Sequence, residues 1–200
     1  MALLRSVNPI DVGPALYGDG VYLRTPQMAD FNDWAAVREE SASFLKPWEP
    51  SWPLDDLTRT AFRRRLKRYH REVREDQAYP FFLFRSGEDA LMGGVTLSHV
   101  RRGVAQACSI GYWIGAPYAR QGHMTRALQT LLPFVFETLR LNRLEAACLP
   151  HNAASIALLE KVGFQREGYA RQYLCINGVW QDHLLYAMLN NDLRPLSAQT

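Results

Sequence analysis

The 200-residue sequence lacks the long apolar runs that a membrane protein requires. No stretch approaches the ~20 apolar residues that cross a bilayer. Residues 1–13, MALLRSVNPIDVG, do not place a long apolar segment behind a positively charged one. We therefore expect no membrane partner and a cytoplasmic location.

Cysteine is scarce as well, and metal-ligand spacings are missing from the sequence. Cys108, Cys148 and Cys175 fall within apolar, strand-like runs, without CxxC spacing or neighbouring histidines. His70 and His151 also stand in no metal-ligand pattern. The sequence thus predicts three buried free thiols and gives no basis for a disulfide framework or a metal centre.

The net charge is small, and its excess is confined to one segment. The formal charge is +3, and residues 55–76 hold eight Arg or Lys against five Asp or Glu, whereas the remainder holds fifteen of each. Phe62, Leu66, Tyr69 and Val73 recur at helical spacing, which predicts an amphipathic helix with a basic outer face. Such a face is either simply solvated or steers the protein towards an RNA-rich target. We expect no specific DNA partner.

Apolar residues are plentiful, at 48% of the sequence, while 22% of the residues are charged. Length and composition together predict one globular domain with a substantial core. Residues 1–17 contain Pro9, Gly13 and Pro14 and show no sustained period. We expect a loose arm there and a single domain over residues 18–200.

Hydrophobic periodicity predicts a mixed α/β architecture, with a sheet covered by helices on both faces. Pro133 lies inside a predicted helix and should kink it. Asn177 and Gly178 separate the last two predicted strands and favour a tight hairpin. The predicted strands are 21–25, 79–85, 90–100, 105–114, 144–149, 164–174 and 179–189, and the predicted helices are 28–40, the basic segment within 55–76, 124–140 and 152–162.

Two strand-to-helix junctions stand out from this pattern. Residues 108–128 run from an apolar strand through a polar turn containing Gly122 into an amphipathic helix. Unpaired N–H groups at such a helix start, with the positive end of the helix dipole, favour an anion such as phosphate. In residues 150–164, Asn152 can cap a helix that Gly163 ends. The two junctions predict a site at the ends of neighbouring strands.

These junctions resemble the cofactor motifs of the GNAT N-acetyltransferases. Further segments resemble the Rim-type branch of that family, which acetylates the α-amine of ribosomal proteins. They are FLKPWEP at 44–50, the run into GYWIG, PHN followed by Ser155, LLEKVGF, EGYARQYL and NGVWQDH. The resemblance covers residues 18–190 and, within the branch, is strongest to the enzymes that act on an N-terminal alanine of a small-subunit ribosomal protein.

The resemblance implies a three-layer α/β/α fold with a splayed, mostly antiparallel sheet of about seven strands. It also implies acetyl-CoA as co-substrate, no metal, and the N-terminus of a ribosomal protein as acceptor, with electrostatic contact to the ribosome through the basic helix. Two positions of the phosphate turn, Ala119 and Met124, depart from the family pattern, whereas Gly122 fits it. The cofactor residues carried over are Tyr112, Trp113, Ile114, Arg120, Gln121, Gly122, His123, Met124, Thr125, Asn152 and Ser155.

Two of these residues also have catalytic assignments through the resemblance. Ser155 is placed near the cofactor sulfur, where one hydroxyl can assist a thiolate that already leaves readily. Asn152 is assigned to the same site, although a plain helix N-cap explains it equally well and both roles are compatible. On the acceptor side the resemblance suggests Trp48, Glu49, Tyr173, Asp182 and His183, each of which has a structural alternative.

A general base is not evident in the sequence. Leu174 stands where some Rim-type relatives place a glutamate, which leaves Glu145, His99, His183 or a bridging water. An α-amine titrates near ~7.7 to 8.0 and a lysine side chain near ~10.4, so a site without a strong base suits an α-amine better.

Two alternatives to ribosomal Nα-acetylation remain open at this stage. One is a GNAT enzyme acting on another amine, such as a different protein terminus, an amino acid or a drug. The other is a non-catalytic module that binds acyl-CoA or the ribosome, which the imperfect turn and the missing glutamate would fit.

Overall fold

A computed structural model describes residues 15–193, and these form one eight-stranded sheet in the order β1-β2-β3-β4-β5-β6-β8-β7. All neighbouring strands are antiparallel except β5 and β6, which are parallel. The mixed α/β class is therefore confirmed. The strands are β1 Leu16–Gly18, β2 Val21–Arg24, β3 Tyr79–Arg85, β4 Leu91–Arg101, β5 Ala107–Ile114, β6 Arg143–Cys148, β7 Gln165–Ile176 and β8 Val179–Leu189.

Five α-helices cover the two faces of this sheet. They are α1 Phe31–Glu40, α2 Ala42–Leu45, α3 Arg59–Arg74, α4 His123–Pro133 and α5 Ala153–Val162, with short 3-10 turns at Met28–Asp30, Ala116–Tyr118 and Asn190–Leu193. Buried side chains of α4 and α5 share one core with the sheet, and those of α1 and α3 share a second core on the opposite face. The strands and helices predicted from periodicity are all found, with ends displaced by a few residues.

The basic helix α3 forms as its apolar spacing predicts. Phe62 and Leu66 are buried against the sheet, and Tyr69 packs at the edge of the same core. Thr58 caps the helix by accepting a hydrogen bond from the Ala61 N–H at 3.2 Å.

Proline 133 changes the helix that contains it. The α-helix ends at Pro133, and residues Phe134–Thr138 continue as a π-helical turn, in which Leu139 N–H donates to the Phe134 carbonyl at 2.8 Å. Proline lacks an N–H, and its ring crowds the preceding turn of the helix. The regular α-helix therefore ends at Pro133 and is followed by the wider π-helical turn. The apolar side chains of both parts stay buried.

Two expectations need correction, and one short helix was not predicted. Cys175 is exposed, whereas Cys108 and Cys148 are buried as predicted, because β7 lies at the sheet edge and buries little of its surface. Most of the predicted arm lies outside the described residues, but Leu16 and Tyr17 are paired in β1 and not loose. Helix α2, of four residues, has too few positions to show a period and was not predicted.

The β7–β8 hairpin turns at Asn177 and Gly178, as predicted. Their φ angles of 53° and 79° place both residues in the left-handed region that a type I′ turn needs. The pairing of β7 with β8 is interrupted twice by bulges, the second of them between Ala170 and Leu174. Among the described residues no helix has the length and apolarity to cross a membrane.

Candidate active site

A wedge opens between β5 and β6 in the middle of the sheet. The two strands pair only at their starts, through Ala107 with Arg143, Cys108 with Leu144 and Ser109 with Glu145. Beyond Ser109, β5 keeps its pairing with β4 up to Ile114, but no β6 residue faces it. The inner edges of both strands therefore present backbone donors and acceptors to the wedge, as an added extended chain would require.

The turn that follows β5 forms a concave array of backbone N–H groups at the start of α4. Arg120 and Gly122 have φ angles of 61° and 78°, so left-handed residues alternate with ordinary ones, which is the geometry of an anion-binding nest. Gly122 is the N-cap of α4 and supplies no side-chain cap. Within residues 15–193, the N–H groups from Gln121 to Thr125 make no hydrogen bond. These free donors and the helix dipole fit a phosphate.

Arg126 lies beside this turn and was not identified from the sequence. Its Nη2 donates to His123 Nδ1 at 2.9 Å, and a Cβ on Gly122 would lie 3.3 Å from its Nη1. Its Nε is buried and has no partner in the described part of the chain. The sequence feature that could have identified Arg126 is its position four residues after Gly122, which places it one helical turn beyond the nest. Arg126 thus adds a fixed cation to the anion site.

The side chains of the turn divide into buried and exposed groups. His123 and Met124 are buried, so they contribute to the site through their backbone. Burial and the nearby Arg126 and Arg85 lower the pKa of His123, which keeps the ring neutral at pH 7. Gln121 donates to the Pro117 carbonyl at 2.7 Å and so folds the turn back on itself. Arg120 and Gln121 are exposed at the rim.

The second predicted junction brings Ser155 to the wedge. Asn152 caps α5, because its Oδ1 accepts a hydrogen bond from the Ser155 N–H at 3.1 Å. The Ser155 hydroxyl lies 2.7 Å from the hydroxyl of Tyr112 on β5. This hydrogen bond spans the wedge between the two halves of the sheet. From the sequence, only the backbone of Tyr112 was expected to contact the cofactor. The structure shows that its side chain also contributes, through the hydrogen bond with Ser155.

Burial sets the protonation states of two neighbours of Ser155. Burial raises the pKa of Tyr112, against a smaller lowering by the Ser155 hydrogen bond, so the phenol stays protonated at neutral pH. Burial also raises the pKa of the Cys148 thiol at the end of β6. Because a neutral buried thiol is a poor nucleophile, Cys148 is unsuited to form a covalent acyl intermediate.

The acceptor residues predicted in the FLKPWEP segment, Trp48 and Glu49, lie in a strap, residues 46–52, that follows α2. Trp48 packs on the His151 ring, with centroids 5.7 Å apart, directly before the α5 cap. Glu49 is paired with Arg38 of α1, whose Nη2 lies 3.0 Å from Oε1. Glu49 is therefore already neutralised and does not offer a free carboxylate. Trp113 of β5 packs against the same Arg38, at 4.8 Å from ring centroid to guanidinium.

The remaining acceptor residues lie on the β7–β8 hairpin. Asp182 accepts hydrogen bonds from the Tyr169 hydroxyl and, at 2.7 Å, from the Gln172 N–H. It therefore holds the bulge of β7, and the pKa of its carboxyl is lowered chiefly by the Tyr169 bond. Tyr173 packs on the buried His183, with ring centroids 5.7 Å apart. A shallow depression of about 400 Å³ opens here, lined by Pro150, His151, Tyr169, Gln172, Trp180, Gln181 and Asp182.

The structure separates the candidate bases. Glu145 is held by Arg143, at 2.9 Å, and by Arg101 at the root of the wedge, so it is a structural ion pair. His99 lies on β4 in a depression shared with α3, away from the strap. His183 uses Nδ1 to donate to the Gln181 carbonyl at 3.0 Å, which leaves Nε2 without a hydrogen bond among the described residues. His183 is thus the candidate closest in sequence and packing to the acceptor residues.

In the described part of the chain, no three His, Cys, Asp or Glu side chains gather as a metal ion would need. The chemistry of the site is carried by hydroxyls, backbone N–H groups and cations at a split sheet. A family model described as an acetyltransferase (GNAT) domain matches residues 21–165. The chain belongs to the GNAT acetyltransferase family.

This GNAT chain is similar in sequence to two curated relatives and in structure to one solved protein. The probable N-acetyltransferase YjcK of Bacillus subtilis is 34% identical over 177 residues, covering 88% of this chain and 98% of the relative. The [ribosomal protein uS5]-alanine N-acetyltransferase of Escherichia coli is 36% identical over 156 residues, covering 78% and 80%. Mycobacterium smegmatis RimJ in complex with CoA-disulfide superposes with a TM-score of 0.83 at 32% identity, covering 92% and 89%. The chain is an N-acetyltransferase, and hence an acyltransferase.

Proposed function

We propose that this GNAT enzyme transfers the acetyl group of acetyl-CoA to the N-terminal α-amine of a ribosomal protein that begins with alanine. The observation that carries the proposal is the Tyr112–Ser155 hydroxyl pair, which spans the wedge beside the free N–H groups of the α4 turn. A relative named for ribosomal protein uS5 and alanine is 36% identical, which supports this acceptor. Residues 18–200 would form one catalytic domain, acting in the cytoplasm.

The residues around the wedge fit coenzyme A. The nest at residues 120–125, with Arg126 beside it, would hold the pyrophosphate through backbone N–H groups and a guanidinium. The unpaired inner edge of β5, from Tyr112 to Ile114, would hold the pantetheine arm as a sheet holds an added strand. When bound, acetyl-CoA supplies the thioester, and this chain's residues orient it and manage the protons.

The chemistry requires a neutral amine, a stabilised oxyanion and a protonated leaving thiol. The amine nitrogen forms a bond to the acetyl carbon, the carbon–sulfur bond breaks, and the amine proton leaves to solvent or to His183. Backbone N–H groups on the open edge of β5 would stabilise the oxyanion. The Ser155 hydroxyl would give its proton to the departing sulfur and take one in turn from the Tyr112 hydroxyl, which is protonated at neutral pH, and a proton from solvent would then restore Tyr112.

The acceptor chemistry of this site favours an α-amine over a lysine. Glu49 is neutralised by Arg38 and Glu145 by arginines, so neither serves as a strong free base. A terminal amine is neutral at pH 7 roughly several hundred times more often than a lysine amine, because their pKa values differ by about 2.5. A site with one weak candidate base, His183, suits the amine that is already partly neutral.

The experiment that tests the function uses one peptide with a free N-terminal alanine and an internal lysine, incubated with the enzyme and acetyl-CoA. We expect thiol release and acetylation of the α-amine alone, read by fragment mass spectrometry. The matched control is the same peptide with its terminus blocked, which should release no thiol. Ribosomal proteins from cells with and without the enzyme should differ at one N-terminal alanine.

Each alternative function predicts a different result in these assays. Acetylation of the internal lysine, or of a small amine in preference to the peptide, would assign another acceptor. Binding of coenzyme A without thiol release in the presence of any amine would indicate a non-catalytic module. Ribosomal termini that are identical with and without the enzyme would reject the proposed acceptor.

We also propose that α3 brings the enzyme to the ribosome. Arg63, Lys67, Arg71 and Arg74 form an exposed stripe, and none of them has an ion pair within residues 15–193, whereas Arg64, Arg65 and Arg68 are paired with acidic residues. Helical spacing of three and four residues puts the Cβ atoms of these side chains about 5–6 Å apart on one face, where phosphates of RNA can meet the cations. This supports the steering role over a merely solvated face.

Replacement of Arg63, Lys67 and Arg71 by Gln should test the stripe. We expect the KM for a free peptide to stay unchanged, and the affinity for the ribosomal small subunit to fall about tenfold or more in low salt. The slope of log affinity against log salt should decrease by about two to three, since roughly 0.7–0.9 is lost per phosphate contact. If the affinity for the subunit changed neither with salt concentration nor with the substitutions, the proposed role of α3 in ribosome binding would be contradicted.

A further inference from the structure

Arg38 of α1 is a buried cation placed between two aromatic rings. Only 6% of its side chain is exposed, and its guanidinium lies 4.1 Å from the Trp52 ring centroid and 4.8 Å from that of Trp113. Trp113 belongs to β5, whereas Trp52 belongs to the strap, residues 46–52. The guanidinium therefore joins the strap to the strand that borders the wedge.

Glu49 completes this cluster, and both of its carboxylate oxygens accept hydrogen bonds. Arg38 Nη1 donates to Oε2 at 3.2 Å and Nη2 lies 3.0 Å from Oε1. The Trp52 Nε1–H also donates to Oε1, at 2.8 Å. Both carboxylate oxygens are thus engaged, and the two ends of the segment from Glu49 to Trp52 are fixed to α1.

Two other residues of the strap, Trp48 and Ser51, contact the half of the sheet that lies across the wedge from β5. Trp48 packs on His151 at the β6–α5 junction, and the Ser51 N–H donates to Asn177 Oδ1 in the hairpin turn at 2.7 Å. The two halves pair directly through only three residue pairs at the root of the wedge. Besides these pairs and the Tyr112–Ser155 hydrogen bond, the strap therefore adds a further connection between the halves, at the end of the wedge away from its root.

The composition of the cluster indicates a role other than stability. A buried ion pair often contributes no more to stability than apolar residues of the same volume. Here the Arg38 Nε is in addition buried without a hydrogen-bond partner among the described residues, which opposes folding. If this contact between α1, β5 and the strap served stability alone, an apolar side chain at position 38 would be sufficient. The guanidinium instead fixes the directions of a carboxylate and an indole at once.

We propose that Arg38 is a positioning residue that fixes the strap over the mouth of the wedge and thereby sets the affinity for the acceptor chain. The inference rests on the proposed function, since the acceptor is the amine-bearing chain that enters beneath the strap. Because Arg38 neutralises Glu49, the strap presents Trp48 and backbone groups to the acceptor without an ion that would hold its amine protonated. Arg38 itself touches neither the thioester nor the amine.

The test compares Arg38→Lys, Arg38→Met and the double variant Arg38→Met/Glu49→Met with the unaltered enzyme. Lys keeps the charge but cannot form both carboxylate bonds between two rings. We expect all three to raise the KM for the alanine peptide about tenfold to thirtyfold, the cost of one or two lost charged hydrogen bonds. The Kd for coenzyme A should change less than about twofold, because the nest is untouched.

The double variant separates positioning from folding. Removing both charges of this pair should restore the melting temperature that Arg38→Met loses, but should leave the acceptor KM high. Recovery of KM together with melting temperature would reduce Arg38 to a structural role and overturn the proposal. So would an unchanged KM in Arg38→Lys.

A matched control is available on the same face of the sheet. Arg24 pairs with the buried Asp30 at 2.6 Å and lies 4.2 Å from the Phe84 ring centroid, but it makes no contact with the strap. Arg24→Met should lower the melting temperature without raising the acceptor KM. If the unaltered enzyme acetylates no alanine peptide, the proposed function fails; if it does and the Arg38 variants match the Arg24 control, the inference alone fails.

Discussion

Replacing Ser155 with alanine should lower kcat about a hundredfold, the lower end of what one proton-donating group contributes. The hydroxyl meets Tyr112 at 2.7 Å across the wedge, where the proposed mechanism requires the sulfur of the leaving thiol to be protonated. The helix cap survives, because Asn152 bonds the Ser155 backbone N–H and not its side chain. The Kd for coenzyme A should therefore change less than about threefold. Stopped-flow thiol release and calorimetry measure the two quantities.

Two further variants sharpen this result. Ser98→Ala makes the same chemical change on β4, outside the wedge, and should leave kcat unaltered. Tyr112→Phe keeps the serine hydroxyl but removes its partner, so we expect a smaller loss than for Ser155→Ala. A kcat for Ser155→Ala equal to that of the unaltered enzyme would remove Ser155 from the reaction. An equal loss in both variants would mean that the serine acts only through the tyrosine.

Replacing Gly122 with valine should weaken coenzyme A binding about a hundredfold. Gly122 has a φ of 78°, a region that a β-branched residue occupies only at a cost of about 1–3 kcal/mol. Its Cβ would also lie 3.3 Å from Arg126 Nη1 and cover the N–H groups that face the phosphate. Backbone strain and lost hydrogen bonds to an anion then act together.

Gly87→Val is the matched control for backbone strain. Gly87 has a φ of 85°, and a Cβ built on it meets no atom within 4 Å. Both variants should lose similar unfolding free energy in urea, but only Gly122→Val should lose affinity for coenzyme A by calorimetry. Equal affinities in the two variants would show that the phosphate does not bind at this turn.

Much of the fold could be predicted from the sequence, because local patterns determine it. The spacing of Phe62 and Leu66 specified the buried face of α3, and Asn177-Gly178 specified the hairpin turn. Cys175 was placed wrongly, since an apolar run predicts a strand but not whether that strand lies at an edge. The π-helical turn after Pro133 also depends on packing that the proline alone does not specify.

The candidate site was predictable where it depends on chain-local geometry. Gly122 and Asn152 each act on the helix start that immediately follows them, so the sequence located both. The partnership of Tyr112 with Ser155, and that of Arg38 with Glu49 and Trp113, joins residues far apart in the chain. Only the three-dimensional arrangement reveals such pairs, and it also shows that Glu49 is neutralised rather than free.

The short parallel joint between β5 and β6 also limits what can pair with the two open strand edges beside it. Open strand edges ordinarily recruit strands from other molecules and lead to aggregation. Here the open edges converge on three paired residues at one end, and the strap closes over the other. A slender, flexible cofactor arm can thread into such a slot, whereas a folded neighbour's strand cannot. The same narrowing that admits a small ligand therefore shields these two inner edges from a strand of another molecule.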